Sequence, residues 1–259
     1  MMSPEQLAAR LKEVLHIGPF LDRADHIITM SDILKDVCVR EGVAGHKITV
    51  LGNRVDTRRF SPDPDCPHDP ATIRVLFVGR LQEQKNLHGV AAALALLRGQ
   101  GWKVHIDICG GAGMNDYLRR CLGCLRPGEY VYHGAVPNRQ LRPLSQNADM
   151  YVGPSLFEGF QIPLIESLAC GTPCVASDQA PANEILTAEV AELVDPENPA
   201  SIERGILRLK QRLNDPAQGN AIRQACRRQA VEQWDYFVIS RKEVAVYLAT
   251  ISPHTGPID

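Results

Sequence analysis

Short apolar, β-branched runs alternate along this chain with longer stretches whose apolar residues recur at helical spacing. Residues 24–29 (ADHIIT), 47–51 (KITVL), 73–79 (IRVLFVG), 103–110 (KVHIDICG), 130–136 (YVYHGAV), 149–155 (DMYVGPS), 172–177 (TPCVAS) and 191–195 (AELVD) read as strands. Residues 31–42, 86–101, 114–125, 138–148 and 163–171 read as the helices between them, and 199–215, 216–234 and 236–251 as three helices after the last strand. Ser31 offers an N-cap and Gly42 a stop for the first of these. The segment 58–71 (RRFSPDPDCPHDPA), rich in proline and aspartate, interrupts the alternation and reads as a linker. Strands this apolar, separated by helices, predict an α/β fold with a parallel sheet covered on both faces, preceded by a partial second α/β unit. In such sheets ligands bind beyond the carboxyl ends of the strands, near a switch in strand order. The loops to inspect therefore begin at Gly79, Gly110, Gly134, Pro154 and Ser177.

Composition narrows the picture by exclusion. The 259 residues suffice for one large or two modest domains. With 44% hydrophobic and 22% charged residues, they are those of an ordinary soluble globular protein. A net charge of −2 gives no basic excess for nucleic acid or an anionic membrane. Of the eight cysteines, several lie inside apolar runs, as buried reduced thiols do. Cys121 and Cys124 form half a zinc motif, but no second pair completes it and His133 lies too far along, so no metal is assigned. The first twenty residues place apolar positions at helical spacing and do not read as a signal peptide, and no run of about 18 apolar residues spans a membrane.

Chemistry enters in the loops. The loop 79–86 (GRLQEQKN) carries Arg80 and Lys85 just past a strand end. Arg can fork onto two phosphate oxygens and Lys adds a mobile point charge, so the pair suits a diphosphate; taken alone, it reads more readily as two solvated cations. The loop 110–113 (GGAG) lets backbone approach a ligand, though it is not a dinucleotide fingerprint and reads as well as a plain tight turn. The stretch 153–177 (GPSLFEGFQIPLIESLACGTPCVAS) places Glu158 on a loop and Glu166 in the first turn of a helix opened by Pro163. Carboxylates near a helix N-terminus are favoured anyway. They are also acceptor-only groups suited to vicinal hydroxyls, and two of them set apart by a turn can hold two diols. Cations for a diphosphate and carboxylates for sugars, in successive loops of one sheet, make the inventory for a nucleotide-sugar.

The stretches LFVGRLQEQKN, YHGAVPN, ADMYVGPSLFEGFQIPLIESLACGTPCVASDQAPANEI and LVDPENP, with Glu158 and Glu166 in an E-x7-E spacing, resemble the family 4 retaining glycosyltransferases. So does ADHIITMSDILKDVCVREGVAGHKITVLGNRVDTRRFSP, and together these cover about residues 20–235. The resemblance implies the GT-B fold of two facing Rossmann-like domains. Residues 72–233 would be the nucleotide-sugar donor-binding domain, 1–57 a remnant of the N-terminal acceptor domain, 58–71 the hinge, and 234–259 the C-terminal crossover helix and tail. It further implies that Arg80 and Lys85 contact the diphosphate, that Glu166 binds the ribose hydroxyls and that Glu158 approaches the transferred hexose. Backbone at Gly159, Phe160 and Gln161 would face the sugar. Gly79 and Gly110 would line the donor site, and backbone near Ala135 and Val136 would meet the base. Catalysis would rest on Glu158, Arg80 and Lys85, without a cofactor or bound metal, on a UDP-, GDP- or ADP-linked sugar.

The chain departs from that pattern in three places. Gln161 stands where the family usually has glycine, either narrowing the donor pocket or turning away. The hinge reads GNRVD, so Arg54 is exposed to a positive φ at a cost of about 1 kcal/mol. Only about 55 residues precede the linker, fewer than the roughly 100 of a Rossmann-like domain. The expectation is therefore a hexosyl-transferring donor domain, incomplete as a single chain, acting on a glycan or lipid-linked acceptor. The chain would self-associate, or another chain would supply the acceptor domain. The location would be cytoplasmic, peripheral to a membrane only through partner or acceptor. The alternative is a non-catalytic nucleotide-sugar-binding or regulatory protein.

Overall fold

The structure is a computed structural model that describes residues 21, 23–66, 68–111 and 113–251. Among the described residues a small βαβ unit comes first: β1 (Ile27–Thr29), α1 (Asp32–Arg40) and β2 (Ile48–Val50). Its two strands pair in parallel, Ile27 opposite Ile48. The larger unit runs β3 (Thr72–Val78), α2 (Leu87–Gly99), β4 (Lys103–Cys109), α3 (Asp116–Leu122), β5 (Tyr130–Gly134), α4 (Asn138–Asn147), β6 (Met150–Gly153), α5 (Ile162–Ala169), β7 (Cys174–Ser177), α6 (Ala182–Ile185) and β8 (Ala191–Val194). Helices α7 (Pro199–Asn214) and α8 (Pro216–Gln229) follow, then a π-helical turn Ala230–Trp234 and α9 (Tyr236–Ile251).

The six strands β3–β8 form one parallel sheet in the order β5-β4-β3-β6-β7-β8. The chain starts at the centre, winds outward through β4 and β5, then returns to lay β6 on the other side of β3. The switch in strand order therefore falls between β3 and β6, and the loops that leave these two strands open on the same crevice.

Alternation along each strand explains the double cover. Ile73, Val75 and Phe77 of β3, with Met150 and Val152 of β6, face one apolar cluster that includes Leu87, Leu94, Ile206 and Leu209 from α2 and α7. Leu76 and Tyr151 face the other, with Leu164, Leu168 and Ile222 from α5 and α8. These side chains are almost fully buried, and each large one is worth about 1.5–3 kcal/mol in water-to-core transfer.

The segment between β2 and β3 is fastened along much of its length. Val55 exchanges two hydrogen bonds of 2.9 Å with Trp234 and Tyr236, and Thr57 Oγ1 donates to Asp235 at 2.6 Å. Arg227 donates to the carbonyls of Phe60 and Ala169 at 2.8 and 2.9 Å, and Gln146 to that of Ser61 at 2.7 Å. Beneath it, Lys210 and Asp149 form an ion pair of 2.9 Å with side chains 1% and 2% exposed. Burial alone would push the Asp149 carboxyl up. Hydrogen bonds from His68, the Arg74 amide and Lys210 together hold it below its usual range.

Arg54 does not take the positive φ that its hinge position suggested. Among the described residues Asn86 alone, at 59°, does so without being glycine, while Gly52 takes 78°. A Cβ on Gly52 would meet the Trp234 ring at 2.3 Å, so glycine at this corner serves conformation and packing together. Arg54 is left free to extend along α9, pairing with Glu243 at 2.8 Å and lying over Tyr236.

Candidate donor site

The two loops at the switch point are joined to each other. After β3 the chain makes a one-turn helix, Glu83–Lys85, which docks on the loop after β6. Gln84 accepts from the Leu156 amide at 2.8 Å and donates through Nε2 to the Phe157 carbonyl at 2.8 Å. Lys85 Nζ then forms a charge-assisted hydrogen bond with Glu158 Oε1, with side chains 14% and 10% exposed. The cation and the carboxylate assigned to neighbouring parts of a donor thus meet across the crevice. Arg80 is exposed and has no ion-pair partner among the described residues.

Asn86 makes this docking possible, and sequence reasoning passed over it. It adopts the left-handed conformation, caps α2 by accepting from the Gly89 amide at 3.1 Å, and donates to the carbonyls of Pro154 and Pro196 at 3.0 and 2.7 Å. It is fully buried. Asparagine tolerates φ above zero and carries a donor and an acceptor on one short side chain. An asparagine directly before an apolar helical run was the available signal.

The glycines at the strand ends are there for closeness. A Cβ on Gly110 would meet the Gly79 carbonyl oxygen at 2.1 Å. Their amides are engaged: Gly79 donates to Cys109 O at 2.9 Å and Gly110 to Gly134 O at 2.8 Å. They shape the floor of the crevice without offering these N–H groups to a ligand. Val136 is half-buried against the apolar cluster below.

Gln161 turns away from the crevice. It is 2% exposed and its Nε2 reaches the Tyr151 hydroxyl, the Gly153 carbonyl and Ser155 Oγ at 3.2, 3.0 and 3.2 Å. It fastens the loop from beneath and does not narrow the opening above. From the other side, Ser31 Oγ donates to the Gly159 carbonyl at 2.6 Å. Because the peptide is planar and trans, the following Phe160 N–H points the opposite way. A Cβ on Gly159 would approach Leu34 to 3.3 Å, so α1 of the first unit packs against this loop. Ser31 caps α1 by position only; its hydroxyl is spent on Gly159, while Glu184 accepts from the Asp32 amide at 3.1 Å.

Glu166 is the fifth residue of α5, past the first turn in which the sequence reading put it. The helix starts one residue before Pro163, because proline suits the first turn wherever it falls within it. Glu166 thus gains little from the helix N-terminus. Burial pushes its carboxyl up to about 7, moderated by the charge of Arg59 from the linker. No hydrogen-bond partner for its side chain occurs among the described residues. The hydroxyl of Tyr151, driven well above its usual range chiefly by complete burial, feels both Glu158 and Glu166. Two carboxylates therefore act on the same tyrosine hydroxyl. One is ion-paired, and the other is half-protonated near neutrality and unpartnered.

The sequence profile of the glycosyl transferases group 1 family matches residues 64–229. The chain belongs to that family. Curated relatives include glycogen synthase of Mycobacterium tuberculosis, 28% identical over 87% of this chain and 54% of its own length. An uncharacterized glycosyltransferase of Methanocaldococcus jannaschii is 32% identical over 85% of this chain and 59% of its own. The chain thus spans a little over half the length of these relatives. Among solved structures, Anabaena HepE in complex with UDP and glucose superposes with a TM-score of 0.78 at 18% identity, covering 96% of this chain and 69% of that one. A glycosyltransferase from Rickettsia africae gives 0.78 at 16%, covering 97% and 69%. At such identities the likeness is one of fold: a parallel sheet flanked by helices, as in the GT-B glycosyltransferases. No helix among the described residues is long and apolar enough to cross a membrane.

Proposed function

We propose that the chain binds a nucleotide-sugar donor in the crevice between the β3 and β6 loops and serves the donor side of a family 4, retaining hexosyl transfer. The observation that carries this reading is the Lys85–Glu158 closure at the switch point, with a buried, unpartnered Glu166 beside it. Lys85 and Arg80 supply positive charge to a diphosphate as it becomes the leaving group, and the reading assigns no metal to that task. Glu166 accepts from ribose hydroxyls, which would provide the hydrogen bonds its side chain lacks. Glu158 takes the hexose once Lys85 swings to the diphosphate, and the Phe160 N–H, aimed by Ser31, lies on the same loop.

The small unit 1–57 is read as part of the acceptor-binding side and 72–233 as the donor domain. Helix α9 leaves Tyr236, Phe237, Val244, Tyr247 and Ile251 about half exposed or more. This apolar surface suits further protein on the acceptor side, whether a second copy or another chain. The acceptor is read as a glycan or lipid-linked glycan.

Calorimetry separates these roles. Lys85→Ala should weaken UDP or GDP binding by about 1.5–3 kcal/mol, as for a charge-assisted bond. Glu158→Ala should spare the free nucleoside diphosphate and weaken only the intact sugar donor. Unchanged nucleotide affinity in Lys85→Ala, or equal losses of it in Glu158→Ala and Glu166→Ala, would refute the assignment.

A further inference from the structure

Ser31 stands at the N-cap of α1, where a serine ordinarily accepts from the second or third amide of the helix. Here it does not. Its backbone is extended, at φ −157° and ψ 160°, yet its side chain makes no capping bond. The hydroxyl donates instead to the Gly159 carbonyl, 128 positions along the chain, and the residue is only 3% exposed. The acceptor that α1 thereby loses comes from the larger unit. Glu184, on α6, accepts from the Asp32 amide at 3.1 Å. Serine and glutamate have traded places: the side chain next to the helix leaves it, and a distant carboxylate caps it.

The bond from Ser31 fixes one peptide of the β6 loop. Gly159 directly follows Glu158, and a Cβ there would approach Leu34 to 3.3 Å, so glycine lets α1 come this close. Among the described residues neither the Gly159 nor the Phe160 amide has a hydrogen-bond partner. The Gly159 carbonyl and the Phe160 N–H belong to one planar trans peptide, so tying the carbonyl to α1 turns the N–H away from it. A single hydrogen bond from the small unit thus sets the rotation of that peptide and leaves its donor open.

We propose that Ser31 is a positioning residue for the transferred sugar. It touches no donor atom; it holds the Gly159–Phe160 peptide so that the Phe160 N–H meets a hydroxyl oxygen of the hexose, and Glu184 keeps the serine free for this by capping α1 in its stead. The inference rests on the donor reading above and extends it. The small unit, read as the acceptor side, shapes recognition of the sugar, while a nucleoside diphosphate without its sugar is indifferent to Ser31.

Titration calorimetry on the full chain with matched pairs tests this: UDP and UDP-glucose, GDP and GDP-mannose, ADP and ADP-glucose. For the pair that the wild type binds, Ser31→Ala should weaken the intact donor about 3- to 10-fold, as for one neutral hydrogen bond, and change the nucleoside diphosphate less than about twofold. Ser31→Thr keeps the hydroxyl and should recover most of the affinity. Glu184→Ala should reproduce part of the loss, because α1 then draws the Ser31 hydroxyl back as its cap. The double variant should bind the donor no more weakly than Ser31→Ala alone. If the wild type binds none of the pairs, the donor reading fails and the role of Ser31 falls with it. If an intact donor binds, but Ser31→Ala weakens it no more than its nucleoside diphosphate, Ser31→Thr restores nothing, or the two losses add in the double variant, the role of Ser31 is overturned and the donor reading stands.

Discussion

Glu166 permits a quantitative test of the donor site. Burial raises its carboxyl from 4.5 to about 7. At about 1.4 kcal/mol per pH unit, ionising it there costs about 3 kcal/mol relative to water. If the ionised form accepts from ribose hydroxyls, only that fraction of the protein is ready to bind. The ionised fraction is about a tenth at pH 6 and about nine-tenths at pH 8, so Kd should fall about tenfold between them, or about 1.4 kcal/mol. The ligand should be an intact sugar nucleotide, whose diphosphate does not titrate in this range. Titration calorimetry in buffers of different ionisation enthalpy should also show about half a proton released per donor bound at pH 7. Glu166→Gln should bind more weakly and with no pH slope. The sign for stability runs the other way. A carboxyl raised in the fold favours the native state fully below pH 4.5, and that contribution is lost as pH rises through about 7. Glu166→Gln should therefore be the more stable protein at pH 8, by up to about 3 kcal/mol, and indistinguishable near pH 4. A wild-type Kd flat from pH 6 to 8, or the same slope in Glu166→Gln, would refute the argument.

Lys210→Met should leave Asp149 buried without its cation and cost about 3–5 kcal/mol in urea unfolding, and the loss should shrink as pH falls through the depressed Asp149 pKa and the carboxyl is protonated. A difference under 1 kcal/mol at pH 7 would contradict the pairing. Asn86→Ala removes a helix cap and strands two buried carbonyls, so it should cost about 2–4 kcal/mol and raise hydrogen exchange in residues 155–158; normal exchange there would show that Asn86 does not secure the loop.

Much of this protein follows from local pattern. The strands β3, β4, β6 and β7 and the helices around them fall within two or three residues of where apolar runs and periodicity placed them, because both faces of a parallel sheet demand such runs. Arg80, Lys85, Glu158 and Glu166 stand out in the sequence as candidates because charged groups are conspicuous in loops at strand ends. Pairing over long separations was not legible. Which strands flank the switch point, and so that Lys85 meets Glu158 across 73 positions, depends on the sheet closing in a given order. The same holds for Gln161, whose amide turns inward because Tyr151, Gly153 and Ser155 present acceptors beneath it. It holds for Arg54, spared a positive φ because Gly52 takes the turn beside Trp234. The raised carboxyl of Glu166 is likewise a property of burial. Burial is set by what packs on a residue, and residue type and sequence position do not specify it.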